Sequence, residues 1–137
     1  MADLSQTAAN VTAAAGAAIR EVTYGETVTQ GQPLYKNATD GKWYQCDAND
    51  TAAKAVCGAI AAVPGVTDGA GYVYLPGTLV NLGATLTLGV TYVLSATKGA
   101  ICPTTDLASA SYLTVLGVPT TTALLKFVPI VSGVQKP

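Results

Sequence analysis

One stretch of this chain occurs twice. Residues 25–41 read GETVTQGQPLYKNATDG and residues 83–99 read GATLTLGVTYVLSATKG. The offset is constant at 58 positions (83 − 25 = 58). Gly25, Thr27, Thr29 and Gly31 recur as Gly83, Thr85, Thr87 and Gly89, and Ala38, Thr39 and Gly41 recur as Ala96, Thr97 and Gly99. Val28 and Tyr35 are answered by Leu86 and Val93, both apolar. After one inserted residue, Val56-Cys57-Gly58 is answered by Val115-Leu116-Gly117. Glycines held at fixed spacing mark where the backbone must turn, so repeating them implies repeating the chain path. Two copies are too few for a solenoid and fit one domain of two similar β units. Residues 25–62 and 83–121 should therefore trace the same strand order, with Gly31 and Gly89 at equivalent turns.

Short runs of β-formers separated by turn residues fill both copies. The first copy reads as strands at Ile19–Tyr24, Thr27–Thr29, Leu34–Lys36, Lys42–Gln45, Val56–Ala62 and Gly71–Leu75. The Asp40-Gly41 pair accepts the positive φ of a tight hairpin between the third and fourth. The second copy reads as Thr78–Leu82, Thr85–Thr87, Thr91–Ser95, Ala100–Cys102, Tyr112–Val118 and Leu124–Val131. Pro129 inside the last run predicts an edge position or a bulge. Asp47–Ala55 is the helix candidate, with Asp47 or Asn49 as N-cap, and Thr104–Ser111 holds the same place in the second copy. The expected fold is all-β: a small barrel or sandwich of about ten short strands, with one or two short helices. Residues 1–17 are small and polar, lack a large apolar face, and read as an N-terminal arm. The β domain spans 18–137, with halves at about 25–76 and 83–131.

Composition narrows the chemistry. There is no histidine, which removes the commonest general base and metal ligand. The acids stand mostly at turns, where carboxylates bond to backbone N–H groups. Asp47 to Asp50 lacks the glycine and the terminal glutamate of a calcium loop. A two-carboxylate glycosidase would need two acids facing one cleft; Glu21 and Glu26 are open to that, but read better as surface charges near turns. No serine sits in a nucleophile elbow, and Gly69-Ala-Gly71 precedes no βαβ unit. The expectation is a protein that is not an enzyme and takes no cofactor or metal. Only 11 % of residues are charged and the net charge is −1, so nothing resembles a nucleic-acid footprint. No apolar run approaches the ~18 residues of a membrane span, and the N-terminus lacks the features of a signal peptide. Synthesis in a cytoplasm is expected. So few charges on a surface suggest that part of it meets another subunit or a larger assembly.

The pattern G-x-x-V-x-x-G-x-x-L-Y (25–35) is followed by the DGKWY hairpin (40–44) and DANDTAAKAVCGAIAA (47–62). The strand pair G-x-x-Y-x-x-S-x-x-x-G-x-I-x-P runs from Gly89 to Pro103. With these motifs, residues 20–133 resemble the capsid decoration (cement) and head-fibre proteins of tailed bacteriophages. The resemblance implies a structural virion protein on the outer surface of the head, reinforcing the capsid as a homotrimer. Its partner would be the major capsid protein. A carbohydrate- or receptor-binding module of a fibre or tail protein is the alternative. Leu4, Val11 and Ile19 are the candidate capsid or subunit contacts, as the apolar residues in and beside the arm.

Cys46, Cys57 and Cys102 form no CxxC pair and fall at different places in the two copies. In a reducing cytoplasm they should stay thiols. Alkylation of the unfolded chain without reductant should modify all three, and mass spectrometry would reveal a bridge as two missing adducts.

Overall fold

A computed structural model describes residues 3–137. The strands are β1 (Val11–Ala13), β2 (Ile19–Thr23), β3 (Pro33–Lys36), β4 (Trp43–Gln45), β5 (Ala59–Ala61), β6 (Ala70–Tyr74), β7 (Leu79–Leu82), β8 (Tyr92–Leu94), β9 (Ile101–Pro103), β10 (Tyr112–Pro119) and β11 (Leu124–Gln135). All pairs of strands are antiparallel. The first sheet runs β2-β6-β5-β3-β4 and the second β1-β7-β11-β10-β8-β9. Adding five to each strand number of the first sheet gives the second, apart from β1. The duplicated glycines thus mark a duplicated topology.

Register agrees with the offset. Leu34 opposes Gln45 as Tyr92 opposes Pro103, and both members move by 58 (92 − 34 and 103 − 45). Gly117 opposes Tyr92 as Ala59 opposes Leu34. The register counterpart of Gly117 is therefore Ala59, one place from the Gly58 that sequence matching selects. The inserted residue lies inside β10 itself: Val115 and Gly117 pair with successive residues of β8, and Leu116 between them bulges into the core. Pro129 stands at a register shift of β11 against β10, as a residue without an N–H requires.

Three local expectations are corrected. Asp47–Ala55 is not an α-helix but a closed loop ending in the 3-10 turn Ala52–Ala55. The carboxylate of Asp47 accepts from Asn49 N (2.9 Å), making a local turn, while Asp47 N donates to Lys54 O (3.0 Å). Thr104–Asp106 is likewise a single 3-10 turn. The runs around Thr27–Thr29 and Thr85–Thr87 form no strand; Val28 makes one isolated bridge with Gly65.

The arm is also tied down by its own chain. β1 adds to the edge of β7 with Val11 opposite Leu82. Leu4 N donates to Ile101 O and Thr7 N to Gly83 O, both at 2.7 Å. The Gln6 amide donates to Gly31 O in the first unit and Leu82 O in the second (3.1 and 3.0 Å). These bonds satisfy an edge that would otherwise be open, so the described part of residues 1–17 is an integral strand and strap. Its removal would expose the β7 edge and leave a hole at Val11, which is 4 % exposed.

The two units stack facing the same way. Cross-strand partners share a face and successive residues alternate. One face of the first sheet, with Leu34, Trp43, Ala59, Ala61 and Val73, is closed by Tyr24 and Val28 into a satellite core. Its opposite face, with Tyr35, Ile60 and Tyr74, enters the main core. In the second sheet Tyr92 and Ile101 are the counterparts of Leu34 and Trp43 (92 − 34 and 101 − 43 are both 58), yet they lie in the main core with Leu125 and Phe127. So the back of the first unit packs on the front of the second. Phe127, Ile60 and Leu82 are fully enclosed there. Each such side chain stabilises the fold by about 1.5–3 kcal/mol.

The duplicated turns allow a paired test. Gly31 and Gly89 have φ of +85° and +84°. A Cβ on Gly89 meets open space, whereas one on Gly31 falls 2.9 Å from Val11 Cγ2 and 2.7 Å from the Gln6 amide. Gly89→Ala should cost only the left-handed strain of about 1–2 kcal/mol. Gly31→Ala should cost more, because it also dislodges the strap. Urea unfolding of the two variants measures the difference.

Candidate interaction surface

Among the described residues, no second sheet lies upon the back of the second sheet. Val118 in β10 stands where Ile60 stands in β5 (118 − 60 = 58), but it is 48 % exposed where Ile60 is 0 %. Ile130 opposes Val115 on the same face and is 61 % exposed. Val128, two residues before Ile130, is also exposed. Between Lys126 and Lys136 the chain reads FVPIVSGVQ, with no charge. Among the described residues, only the corner with Val93 and Cys102 is covered on this back face, by the loop carrying Leu107. An apolar cleft of about 520 Å³ runs beside it, lined by Val90, Tyr92, Pro103, Leu113 and Val115. Leu113 also borders a smaller cleft formed with Leu107 and Val134.

A second, polar cleft of about 430 Å³ lies at the end of the β3–β4 hairpin. Glu26, Tyr35, Tyr44, Asp50, Lys54 and Lys98 line it. Its groups bond mostly to one another. Lys98 pairs with Glu26 and Lys54 with Asp50, each at 2.6 Å. Glu26 also accepts from Gln45 N at 2.7 Å. The Tyr35 and Tyr44 rings, opposite each other in register, stack at 5.9 Å, and Tyr35 is buried. These contacts hold the hairpin to the Asp47–Ala55 loop and to the turn at Lys98. They leave no aromatic ring face displayed with unengaged polar groups around it, as a sugar platform requires.

Tyr44 Oη donates to Asp40 at 2.5 Å. That bond, which only the neutral phenol can donate, pushes the Tyr44 pKa up to about 12. The same bond, with one from Lys42 N, holds Asp40 below the usual carboxylate range. Tyr24 also rises to about 12, here from burial, with its hydroxyl donating to Val63 O and Tyr72 O. Burial raises the Cys46 and Cys102 thiols, which makes them poor nucleophiles. All three cysteines are free and buried.

The residues selected from sequence are dispersed. Val11 is buried and Leu4 packs against the main core, so both serve their own domain. Ile19 is 56 % exposed on the edge strand β2. Glu21 accepts from the Tyr72 hydroxyl, and the cleft that Glu26 lines does not include it. Among the described residues no three acids or cysteines gather as a metal would require. Sequence reading missed Val118, Val128 and Ile130. The charge-free run after Lys126 was their signal, but it reads equally well as a buried strand. No protein-family model matches the chain, and no curated protein or solved structure matches it.

Two tyrosines should titrate late. Absorbance at alkaline pH should show Tyr24 and Tyr44 ionising near 12, and Asp40→Asn should return Tyr44 towards 10 without moving Tyr24. The unfolded chain ionises at the ordinary value of 10. The stabilisation from neutral, buried Tyr24 is therefore complete below pH 10 and is lost as pH rises towards 12.

Proposed function

We propose that this chain is a non-enzymatic structural protein of a bacteriophage particle. It binds the outer surface of the head through the major capsid protein and reinforces the shell as an oligomer, a homotrimer by the resemblance of residues 20–133. The observation that carries an assembly role is the uncovered apolar back of the second sheet. It sits on a domain whose charged and aromatic groups are largely engaged within the chain. A surface of this kind gains free energy by being covered. Several copies held together also multiply weak contacts, raising avidity by ~10²–10⁴ without a single strong one. The place in the virion comes from the resemblance; the need for a partner comes from the exposed face. The alternative, a carbohydrate-binding fibre module, would draw on the cleft beside Tyr35 and Tyr44. It is the weaker reading because the groups there are already bonded to one another.

Undecorated phage heads provide the test. The purified protein should co-sediment with them to a fixed stoichiometry and raise the temperature at which they rupture. A glycan array should stay blank. Absence of head binding would remove the decoration role, and saturable binding of a sugar competed by Tyr44→Ala would favour the fibre module.

A further inference from the structure

We propose that the back of the second sheet, centred on Val118, Val128 and Ile130, is where copies of this chain meet one another around a symmetry axis. The assignment rests on the assembly reading but needs no capsid to be tested.

The chain itself contains the precedent. The same face of the first sheet, with Ile60 and Tyr74, is covered by another unit of this fold, the second half of the chain. Ile60 and Tyr74 are 0 % and 8 % exposed there. The second unit repeats the strand order and keeps Val118, Val128 and Ile130 on the matching face, with Lys126 in the place of Tyr74, and among the described residues no third unit covers them. What fits such a face is another unit of the same architecture, and a second copy supplies it. The stack cannot simply run on from copy to copy. The front of the first unit is sealed by Tyr24 and Val28, which are 0 % and 2 % exposed. Association therefore closes through the backs of the second sheets instead of growing into a filament.

β11 carries no acid or base between Phe127 and Gln135, while the exposed Lys126, opposite Val118, is a charge on this face that like faces must keep at the margin of their contact. Val118, Val128, Ile130 and Val134 together expose on the order of 350 Å² per copy, somewhat under half of what a standard interface takes from each partner. The clefts beside Leu113 and Val115 adjoin this patch and add to it. Strand addition along the part of β11 beyond Phe127, which β7 does not cover, is a poorer fit. Pro129 has no N–H to offer, and the left-handed Gly133 (φ +70°) interrupts the edge.

The test is the mass of the free protein by sedimentation equilibrium, comparing the natural chain with Ile130→Asp and with Val118→Asp/Ile130→Asp. Both positions are exposed, so circular dichroism and the unfolding midpoint should stay near those of the parent. The natural chain should be a closed oligomer at micromolar concentration. Ile130→Asp should weaken association at least tenfold and the double variant should be a monomer. Tyr72→Asp, on an exposed position of the first sheet, should leave association unchanged. A monomeric parent, or folded variants that keep the parental mass, would overturn the assignment. Because no heads are present, an oligomer that passes this test and fails to decorate heads would sink the decoration role alone.

Discussion

The contact between the two units is the constraint on which the rest depends. The back of the first sheet must fill the front of the second, and those surfaces carry different side chains although their strands correspond. Ile60 and Tyr74 come from one, and Tyr92, Ile101, Leu125 and Phe127 from the other. A two-fold arrangement would have joined like faces and left none over. Stacking units in the same orientation makes unequal ends. One end is closed by Tyr24, whose buried hydroxyl finds Val63 O and Tyr72 O. The other end is left with valines and an isoleucine in water.

Polar groups lock this contact where apolar packing alone would let the sheets slide. Thr114 Oγ1 donates to Ala55 O at 2.5 Å and Tyr112 N to Ala48 O at 2.8 Å, tying β10 to the loop of the first unit. Gln6 adds a tie on the opposite flank by bonding one carbonyl from each unit. Buried hydrogen bonds of this kind contribute about 1 kcal/mol each, and losing one partner costs more because the other is then stranded.

Turn chemistry made most of the fold legible in the sequence. Glycines that need left-handed backbone, the Asp40-Gly41 hairpin and the β-rich runs between them placed nearly every strand to within a few residues. The duplicated spacing implied that the two halves share one strand order, without saying which. Four things were not legible. β1 was hidden because Val11-Thr-Ala13 is too short to show alternation, and its strand character comes from the β7 edge it covers. The helix predicted at Asp47–Ala55 yielded to side-chain and backbone bonds that close the loop on itself. Offset matching could not locate the bulge at Leu116, since aligning Gly58 with Gly117 puts the extra residue before Val115, whereas the register sets Gly117 against Ala59. The exposed back of the second sheet was the least legible, because Val118 and Ile60 have the same chemistry in the sequence and differ only in what lies above them.

The N-terminal strap also bears on synthesis. Every strand of the first sheet lies between residues 19 and 74, so that sheet can assemble as soon as this stretch has left the ribosome. β1 is made earlier still, yet its partner β7 begins at Leu79, and Leu4 waits for Ile101. The strap, made before the first sheet, is thus among the last segments to find its place. Until then the nascent chain carries a finished sheet with an apolar back and an unplaced strap. Long-range closure of this sort is slow relative to local pairing, which puts the period of greatest vulnerability to aggregation in the middle of translation, before the second unit arrives.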